Sequence, residues 1–305
     1  MKNVFIDGSA GTTGLRIWER LSGRQDLNLI RLPDSLRKSL DARKDAINSA
    51  DIAFLCLPDS AAIEAVSLIE NPNVKVIDTS TAHRTNDDWV YGFAELSNEH
   101  RQAICQAKRV ANPGCHASGF IASVYPLVIN GILPPDFPIT AYSLTGYSGG
   151  GKSLIAEYQD NDRDMRHESH RIYGLNLNHK HLPEMKKICG LTQNPVFSPI
   201  LGDFYAGMAT TILLPGYDAE RIWEIIHSHY EGQKLISVAP LGGDESVIYA
   251  STLAEKDTMR IIVSGHAKQT MVTAVFDNLG KGASGAAIQN MNILLGAEET
   301  TGLNL

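Results

Sequence analysis

Val4-Phe5-Ile6-Asp7-Gly8-Ser9-Ala10-Gly11-Thr12-Thr13-Gly14 is a short apolar strand that runs into three glycines at a spacing of three. Leu15, Ile17, Trp18 and Leu21 follow at helical spacing, and Gly23 closes the helix. Strand, glycine loop and helix form the setting of a dinucleotide site: glycines let backbone approach a pyrophosphate, which then rests on the helix N-terminus. Gly8, Ser9, Gly11, Thr12, Thr13 and Gly14 are therefore candidate cofactor residues. The spacing G-x-x-G-x-x-G differs from the commoner G-x-G-x-x-G, and a plain strand-to-helix turn is the competing reading.

The next strand, expected over residues 27–32, carries Arg31 near its end, with Ser35 and Arg37 close behind. NAD sites usually hold an acidic side chain there, about twenty residues past the loop, whereas arginine suits the 2′-phosphate of NADP. NADP or NADPH is the expected cofactor. Further strands are expected over residues 51–57 and 74–77, with a helix between them capped at Ser60. This alternation predicts a doubly wound α/β sheet, whose ligands bind beyond the carboxyl ends of the strands. Leu57, Pro58, Ser80, Arg84 and Asn112 all fall at such ends, and the reading places them in one crevice with the glycine loop.

Asn112-Pro113-Gly114-Cys115-His116 forms a sharp corner, and Phe120, Ile121, Val124, Leu127 and Val128 then recur on one helical face. Cys115 is expected in the first turn of that helix, where the dipole and unpaired N–H groups favour thiolate over thiol. Cysteine is more often a small buried hydrophobe. Cys56, Cys105 and Cys189 carry no comparable signal: they occupy an apolar run, a polar helical stretch and a position before glycine.

After about residue 130 the pattern changes to strand-like runs near 139–145, 196–201, 209–214 and 259–264, with a helix near 219–230. A mixed α+β domain is expected. The division places residues 1–115 with 283–305 in a dinucleotide-binding domain and residues 116–282 in a catalytic one. The small-residue segment 282–296 is read as a closely packed helix returning to the first domain.

Gly146-Tyr147-Ser148-Gly149-Gly150-Gly151-Lys152-Ser153 matches G-x-x-x-x-G-K-S, which alone would predict a nucleoside-triphosphate P-loop. The residues after it are too polar for the buried helix a P-loop opens, and Asp203 is a poor candidate for a magnesium ligand. Ser148 and Gly149 are better read as an anion- or cofactor-facing loop. His179-Lys180-His181-Leu182-Pro183-Glu184 offers two imidazoles and a carboxylate but too few ligands for zinc, so no metal is expected. A histidine serving a thiolate as acid and base, oriented by Glu184, is the preferred reading.

The 305 residues exceed one typical domain, and 43% hydrophobic with 20% charged residues is ordinary for a globular chain. A net charge of -7 argues against general nucleic-acid binding, no apolar run reaches membrane length, and four scattered cysteines suit a reducing compartment. A cytoplasmic enzyme without nucleic-acid or membrane partners is expected.

NPGCHA around Cys115, GSAGTTG at the N-terminus, DTSTAHR at 78–84, SGGGK at 148–152, HKHLPE at 179–184 and DNLGKGASGAAIQNMN at 277–292 together resemble the shorter type of N-acetyl-gamma-glutamyl-phosphate reductase. That family is similar to aspartate-semialdehyde dehydrogenase and, more distantly, to glyceraldehyde-3-phosphate dehydrogenase. The resemblance implies a Rossmann-type NADP domain, with Asn278 also on the cofactor, and a catalytic and dimerisation domain like that of glyceraldehyde-3-phosphate dehydrogenase. It implies a homo-oligomer, dimer or tetramer, that reduces a small-molecule acyl phosphate through a thioester on Cys115 in arginine biosynthesis. His181, with His179 second, is the implied acid and base. Arg84, Asn112, Ser148 and Glu184 are implied on the substrate or phosphate side, with a cation from residues 163–171 on the substrate carboxylate. Arg260 and His266 form a rival arginine–histidine pair. Other readings are an aspartyl-phosphate reductase, a cysteine hydrolase or amidotransferase, a regulatory NADP-binding protein, and the P-loop enzyme.

Overall fold

The computed structural model describes residues 1–243 and 246–305. The chain divides into two compact units, 1–113 with 283–303 and 114–282 with 304–305.

The first unit begins with β1 (Lys2–Asp7), α1 (Thr12–Leu21), β2 (Leu27–Ile30), α2 (Leu40–Ser49), β3 (Ile52–Leu55), α3 (Asp59–Ser67), β4 (Lys75–Asp78), β5 (Val90–Tyr91), α4 (Asn98–Gln106) and β6 (Arg109–Ala111). The six strands lie in the order β2-β1-β3-β4-β6-β5, and every neighbouring pair is parallel. Parallel strands covered on both faces read as apolar runs, and β3 is buried at all of its positions. Val4, Ile6, Ile52, Phe54 and Ile77 form one core cluster, Phe5, Ala53, Leu55 and Val76 another. Strand β2 ends at Ile30, where its ladder with β1 stops opposite Phe5, so Arg31 begins the loop instead of ending the strand. Helix α3 starts at Asp59, one residue before the expected Ser60 cap, because Pro58 with its fixed φ supplies the turn into it.

The second unit contains α5 (Cys115–Ile129), β7 (Thr140–Gly146), α6 (Gly151–Gln159), β8 (Arg171–Ile172), α7 (Leu182–Ile188), β9 (Val196–Gly202), β10 (Met208–Pro215), α8 (Ala219–Tyr230), β11 (Ile236–Val238), β12 (Met259–His266) and β13 (Gln269–Phe276). Its sheet runs β11-β12-β13-β10-β7-β9-β8 and mixes parallel with antiparallel pairs. Helix α5 is buried along nearly its whole length and packs on β10 and β13. Gly119 permits that approach: a Cβ there would lie 2.6 Å from Thr210 Oγ1 and 2.8 Å from Phe276.

The last helix, α9 (Gly285–Leu295), belongs to the first unit. Ala287, Ile288 and Met291 join its core, and Gln289 donates to Glu95 at 2.9 Å. Among the described residues no helix is long and apolar enough to cross a membrane.

Candidate functional site

In the first unit the glycine loop is a backbone device. Gly8 holds φ +85°, and a Cβ on it would lie 2.2 Å from the Cys56 carbonyl oxygen. A Cβ on Gly14 would meet the Gly8 carbonyl oxygen at 2.4 Å, so that position admits only hydrogen. Thr12 opens α1 with a buried hydroxyl that has no hydrogen-bond partner within the protein. Gly8, Ser9, Arg31, Ser35, Arg37 and Leu57 line a pocket of about 550 Å³, and the Arg31 guanidinium lies 5.5 Å over the Trp18 ring. A closely approachable loop, an unsatisfied hydroxyl at a helix start and a cationic rim fit a phosphorylated dinucleotide.

The other residues expected near this loop hold the unit together. Ser80 donates to Asp78 at 2.6 Å. Arg84 is buried and donates to the carbonyl oxygens of Asn112 (2.9 Å) and Thr79 (3.0 Å). Asn112 donates to the Ala283 carbonyl at 3.0 Å and accepts from Asn290 at 3.2 Å. Pro58 caps α3, while Gly11 is the N-cap of α1 and Thr13 lies in its first turn.

The chemistry-bearing side chains of the second unit gather at the start of α5. Cys115 is the first residue of that helix, half-buried, with no acidic side chain in its own first turn. Gly114, the N-cap, donates its N–H to a carboxylate oxygen of buried Glu184 at 3.1 Å. Glu184, expected to orient a histidine, braces the backbone beside the cysteine. The rings of His179 and His181 lie edge to face with centroids 4.7 Å apart, and His179 Nδ1 accepts from the His181 N–H at 3.2 Å. Leu182-Pro183-Glu184 opens α7, which packs against α5 and so carries the histidine pair to the cysteine's helix. Gly282 adjoins Cys115: its missing Cβ would sit 3.0 Å from Cys115 Cβ.

His116 completes the group and was not assigned a role from sequence. It lies 5.2 Å from His179 and 5.7 Å from His181, centroid to centroid, and 5.4 Å from Phe197. Its Nδ1 is 2.8 Å from Ser143 Oγ and its Nε2 is 2.8 Å from Tyr173 Oη. Burial, then His179 and Lys180, push its pKa down to about 3. The Tyr173 phenol is pushed up by burial and then by the charge of Cys115. The quoted NPGCHA already contained His116, but nothing in one-dimensional spacing announced Tyr173 or Ser143 as its partners. Burial raises the Cys56 thiol to about 12 and raises Cys189 as well, which holds both as thiols, Cys189 buried and Cys56 partly so.

Ser148, Gly149 and Asn278 do meet, within the second unit: Asn278 donates to Ser148 Oγ at 2.8 Å and accepts from the Gly207 N–H at 2.9 Å, and a Cβ on Gly149 would lie 3.1 Å from Asn278 Nδ2. The P-loop-like stretch is one 3₁₀ turn leading into α6, a helix whose only buried residue is Tyr158, and Lys152 is exposed. Asp203 grips Arg163 by two hydrogen bonds of 2.7 and 2.8 Å. Arg166 pairs with Asp164, and Arg171 and His167 with Glu157, so each of the three arginines at 163–171 has a carboxylate partner. Arg260 and His266 line a different pocket of about 680 Å³ beside α8, whose lining includes neither Cys115 nor the HKHLPE histidines. Among the described residues no group of three or more His, Cys, Asp or Glu is placed to hold a metal ion.

Residues 3–104 match the family described as semialdehyde dehydrogenase, NAD binding domain, and residues 115–278 match semialdehyde dehydrogenase, dimerisation domain. The class is therefore that of the semialdehyde dehydrogenases, with a nucleotide domain and a domain that carries the cysteine. Solved structures agree in fold: aspartate semialdehyde dehydrogenase II of Vibrio cholerae has a TM-score of 0.71 at 16% identity, covering 97% of this chain and 98% of that one. The aspartate semialdehyde dehydrogenase of Candida albicans, determined with NADP, has a TM-score of 0.68 at 15% identity, covering 97% and 98%.

Relatives in sequence narrow the class. The N-acetyl-gamma-glutamyl-phosphate reductase of Burkholderia lata is 45% identical over 306 residues, covering 97% of each chain. That of Sinorhizobium fredii is 46% identical over 304 residues, covering 96% of this chain and 99% of its own. This chain belongs to the N-acetyl-gamma-glutamyl-phosphate reductase family.

Proposed function

We propose that this protein carries out the reductive dephosphorylation of N-acetyl-gamma-glutamyl phosphate to N-acetylglutamate semialdehyde, a step of arginine biosynthesis, with NADPH as reductant. The observation that carries the reading is Cys115 at the start of α5 within one cluster with His116, His179, His181 and Glu184.

The chemistry follows from those groups. The helix N-terminus favours the Cys115 thiolate, which attacks the acyl carbon of the substrate. N–H groups of the first turn of α5 have no partner inside the helix and suit the oxyanion that forms. Glu184 fixes the corner by accepting the Gly114 N–H, so that donor serves the backbone and the oxyanion falls to the N–H groups beyond it. Phosphate leaves and a thioester remains on Cys115. NADPH, when bound in the glycine loop with its 2′-phosphate among Arg31, Ser35 and Arg37, supplies the hydride that reduces the thioester. His181, the more deeply buried imidazole of the HKHLPE pair, handles the proton on the hemithioacetal oxygen as that species collapses to aldehyde and thiolate. Ser148 and Asn278 serve the substrate and cofactor as polar groups already aligned by their mutual bond. The protein works as a cytoplasmic homo-oligomer through the second unit, whose family description is a dimerisation domain.

The test is the reverse reaction: phosphate-dependent reduction of NADP by purified protein with N-acetylglutamate semialdehyde, for wild type and Cys115→Ser. Activity that needs phosphate and falls at least ~10⁴-fold in the variant is expected. Activity retained by Cys115→Ser overturns the thioester; activity with aspartate semialdehyde alone keeps the chemistry and changes the substrate.

A further inference from the structure

Asp78 closes β4, at the edge where a parallel sheet takes its ligands, and its carboxylate gathers the loop that follows. Oδ1 accepts from the Ser80 N–H at 2.9 Å; Oδ2 accepts from Ser80 Oγ at 2.6 Å and faces His83 Nδ1, also at 2.6 Å. The His83 ring lies flat on Trp89, with centroids 4.1 Å apart and planes 16° from parallel, and only 7% of the residue is exposed. A carboxylate accepts and does not donate, so the ring gives its Nδ1 proton to Asp78 and, when neutral, keeps a lone pair on Nε2. That nitrogen has no hydrogen-bond partner among the described residues, and it is not one of their sealed-off polar atoms. An acceptor held in a nine-tenths buried ring without a partner costs free energy that a donor on a ligand would recover.

The order of the strands decides which part of a dinucleotide passes over His83. The sheet runs β2-β1-β3-β4 before its last two strands. Arg31, Ser35 and Arg37 follow β2, and the glycine loop follows β1. With the 2′-phosphate at the first and the pyrophosphate at the second, the adenosine half is accommodated between β2 and β1. The nicotinamide nucleoside then extends the other way, over the ends of β3 and β4. Contacts are continuous along that edge: Gly8 packs on the Cys56 carbonyl, Thr79 donates its N–H to the Leu55 carbonyl at 2.9 Å, and Thr81 donates its N–H to Asp59, at the start of α3, at 2.9 Å. Strand β4 lies two strand spacings from β1, about 10 Å, which one nucleotide can span.

We propose, on the reading of the glycine loop as an NADPH site, that His83 Nε2 accepts a hydrogen bond from the nicotinamide nucleoside of the cofactor, from a ribose hydroxyl or from the carboxamide N–H. Asp78 and Trp89 are its positioning residues: the carboxylate sets the tautomer and the indole sets the plane of the ring. His83 thereby holds the reacting end of the dinucleotide, while Arg31, Ser35 and Arg37 hold the other.

The experiment is isothermal titration calorimetry of the full chain at pH 8 with NADP and with 2′,5′-ADP, which keeps the phosphorylated adenosine and lacks the nicotinamide nucleoside. His83→Asn, whose amide can still donate to Asp78, is expected to weaken NADP about tenfold, the loss of one hydrogen bond, and to leave 2′,5′-ADP unchanged. An unchanged Kd for NADP, or equal weakening of both ligands as a merely structural role would give, overturns the proposal. The acetylpyridine analogue of NADP has no carboxamide N–H and separates the donors: an effect of His83→Asn that persists with it assigns the ribose hydroxyl, and one that vanishes assigns the carboxamide. If His83→Asn does not fold, wild type decides through acylation by diethyl pyrocarbonate, read by mass spectrometry on the tryptic peptide 76–84, whose one histidine is His83. NADP is expected to protect His83 and 2′,5′-ADP is not; protection by both or by neither, or a His83 unreactive without ligand, overturns the proposal. Wild type that binds neither ligand refutes the reading of the glycine loop itself, whereas NADP binding that His83→Asn leaves intact refutes this contact alone.

Discussion

His116 makes the stability of this protein depend on pH in a way that can be worked out. An ordinary histidine binds a proton near pH 6.5, whereas burial against Phe197 and beside His179 holds His116 to about 3. Below pH 6.5 the unfolded chain takes up a proton that the folded chain refuses, so acid favours unfolding through this residue. The stability is fully present above pH 6.5 and is lost progressively as pH falls toward 3. With those two values, the loss on moving from pH 8 to pH 5 is roughly 2 kcal/mol, from ~1.4 kcal/mol per unit over about 1.5 units. Urea unfolding of wild type and His116→Gln at both pH values, followed by far-UV circular dichroism, isolates the contribution, because carboxylates and the remaining histidines are common to both proteins. His116→Gln is expected to start less stable at pH 8 and to lose about 2 kcal/mol less on acidification. Equal losses in the two proteins would refute the reasoning, because His116 would then titrate alike folded and unfolded.

Three further perturbations probe other parts of the molecule. Gly119→Ala would ordinarily stabilise a helix by about 1 kcal/mol, but its Cβ would overlap Thr210 and Phe276; overpacking of ~1–3 kcal/mol should prevail and lower Tm by a few degrees, and a raised Tm in differential scanning calorimetry contradicts the packing. Arg31→Asp should raise KM for NADPH by about 10–100-fold while changing KM for NADH little, and equal losses for both would remove Arg31 from the 2′-phosphate. His181→Asn should lower kcat by about 10²–10⁴-fold and His179→Asn much less, in steady-state assays; the reverse order assigns the proton to His179.

The class of fold and the helix-start position of Cys115 were legible in the chain because both are local. A strand, a glycine turn and a helix lie within one stretch, and Gly8 and Gly14 are glycines because a Cβ would strike neighbouring backbone. Cys115 follows a Pro-Gly corner and opens an apolar helix, which periodicity alone reveals. The partners of the arginines at 163–171 were not legible for the opposite reason. Asp203, Asp164 and Glu157 pair with them, and an ion pair between residues as far apart as 163 and 203 leaves no mark on spacing.

Sequence by itself thus determined that a dinucleotide loop and a helix-start cysteine exist, since backbone geometry and the helix dipole act over a few residues. Tertiary structure alone decided what surrounds the cysteine. His116 adjoins it in the chain, but its neutrality comes from burial beneath groups on other elements, and its partners Ser143 and Tyr173 come from β7 and from the loop after β8. Glu184 reaches the Gly114 N–H across seventy positions of chain. Hydrogen bonds and desolvation depend on distance in space, and only folding sets that distance.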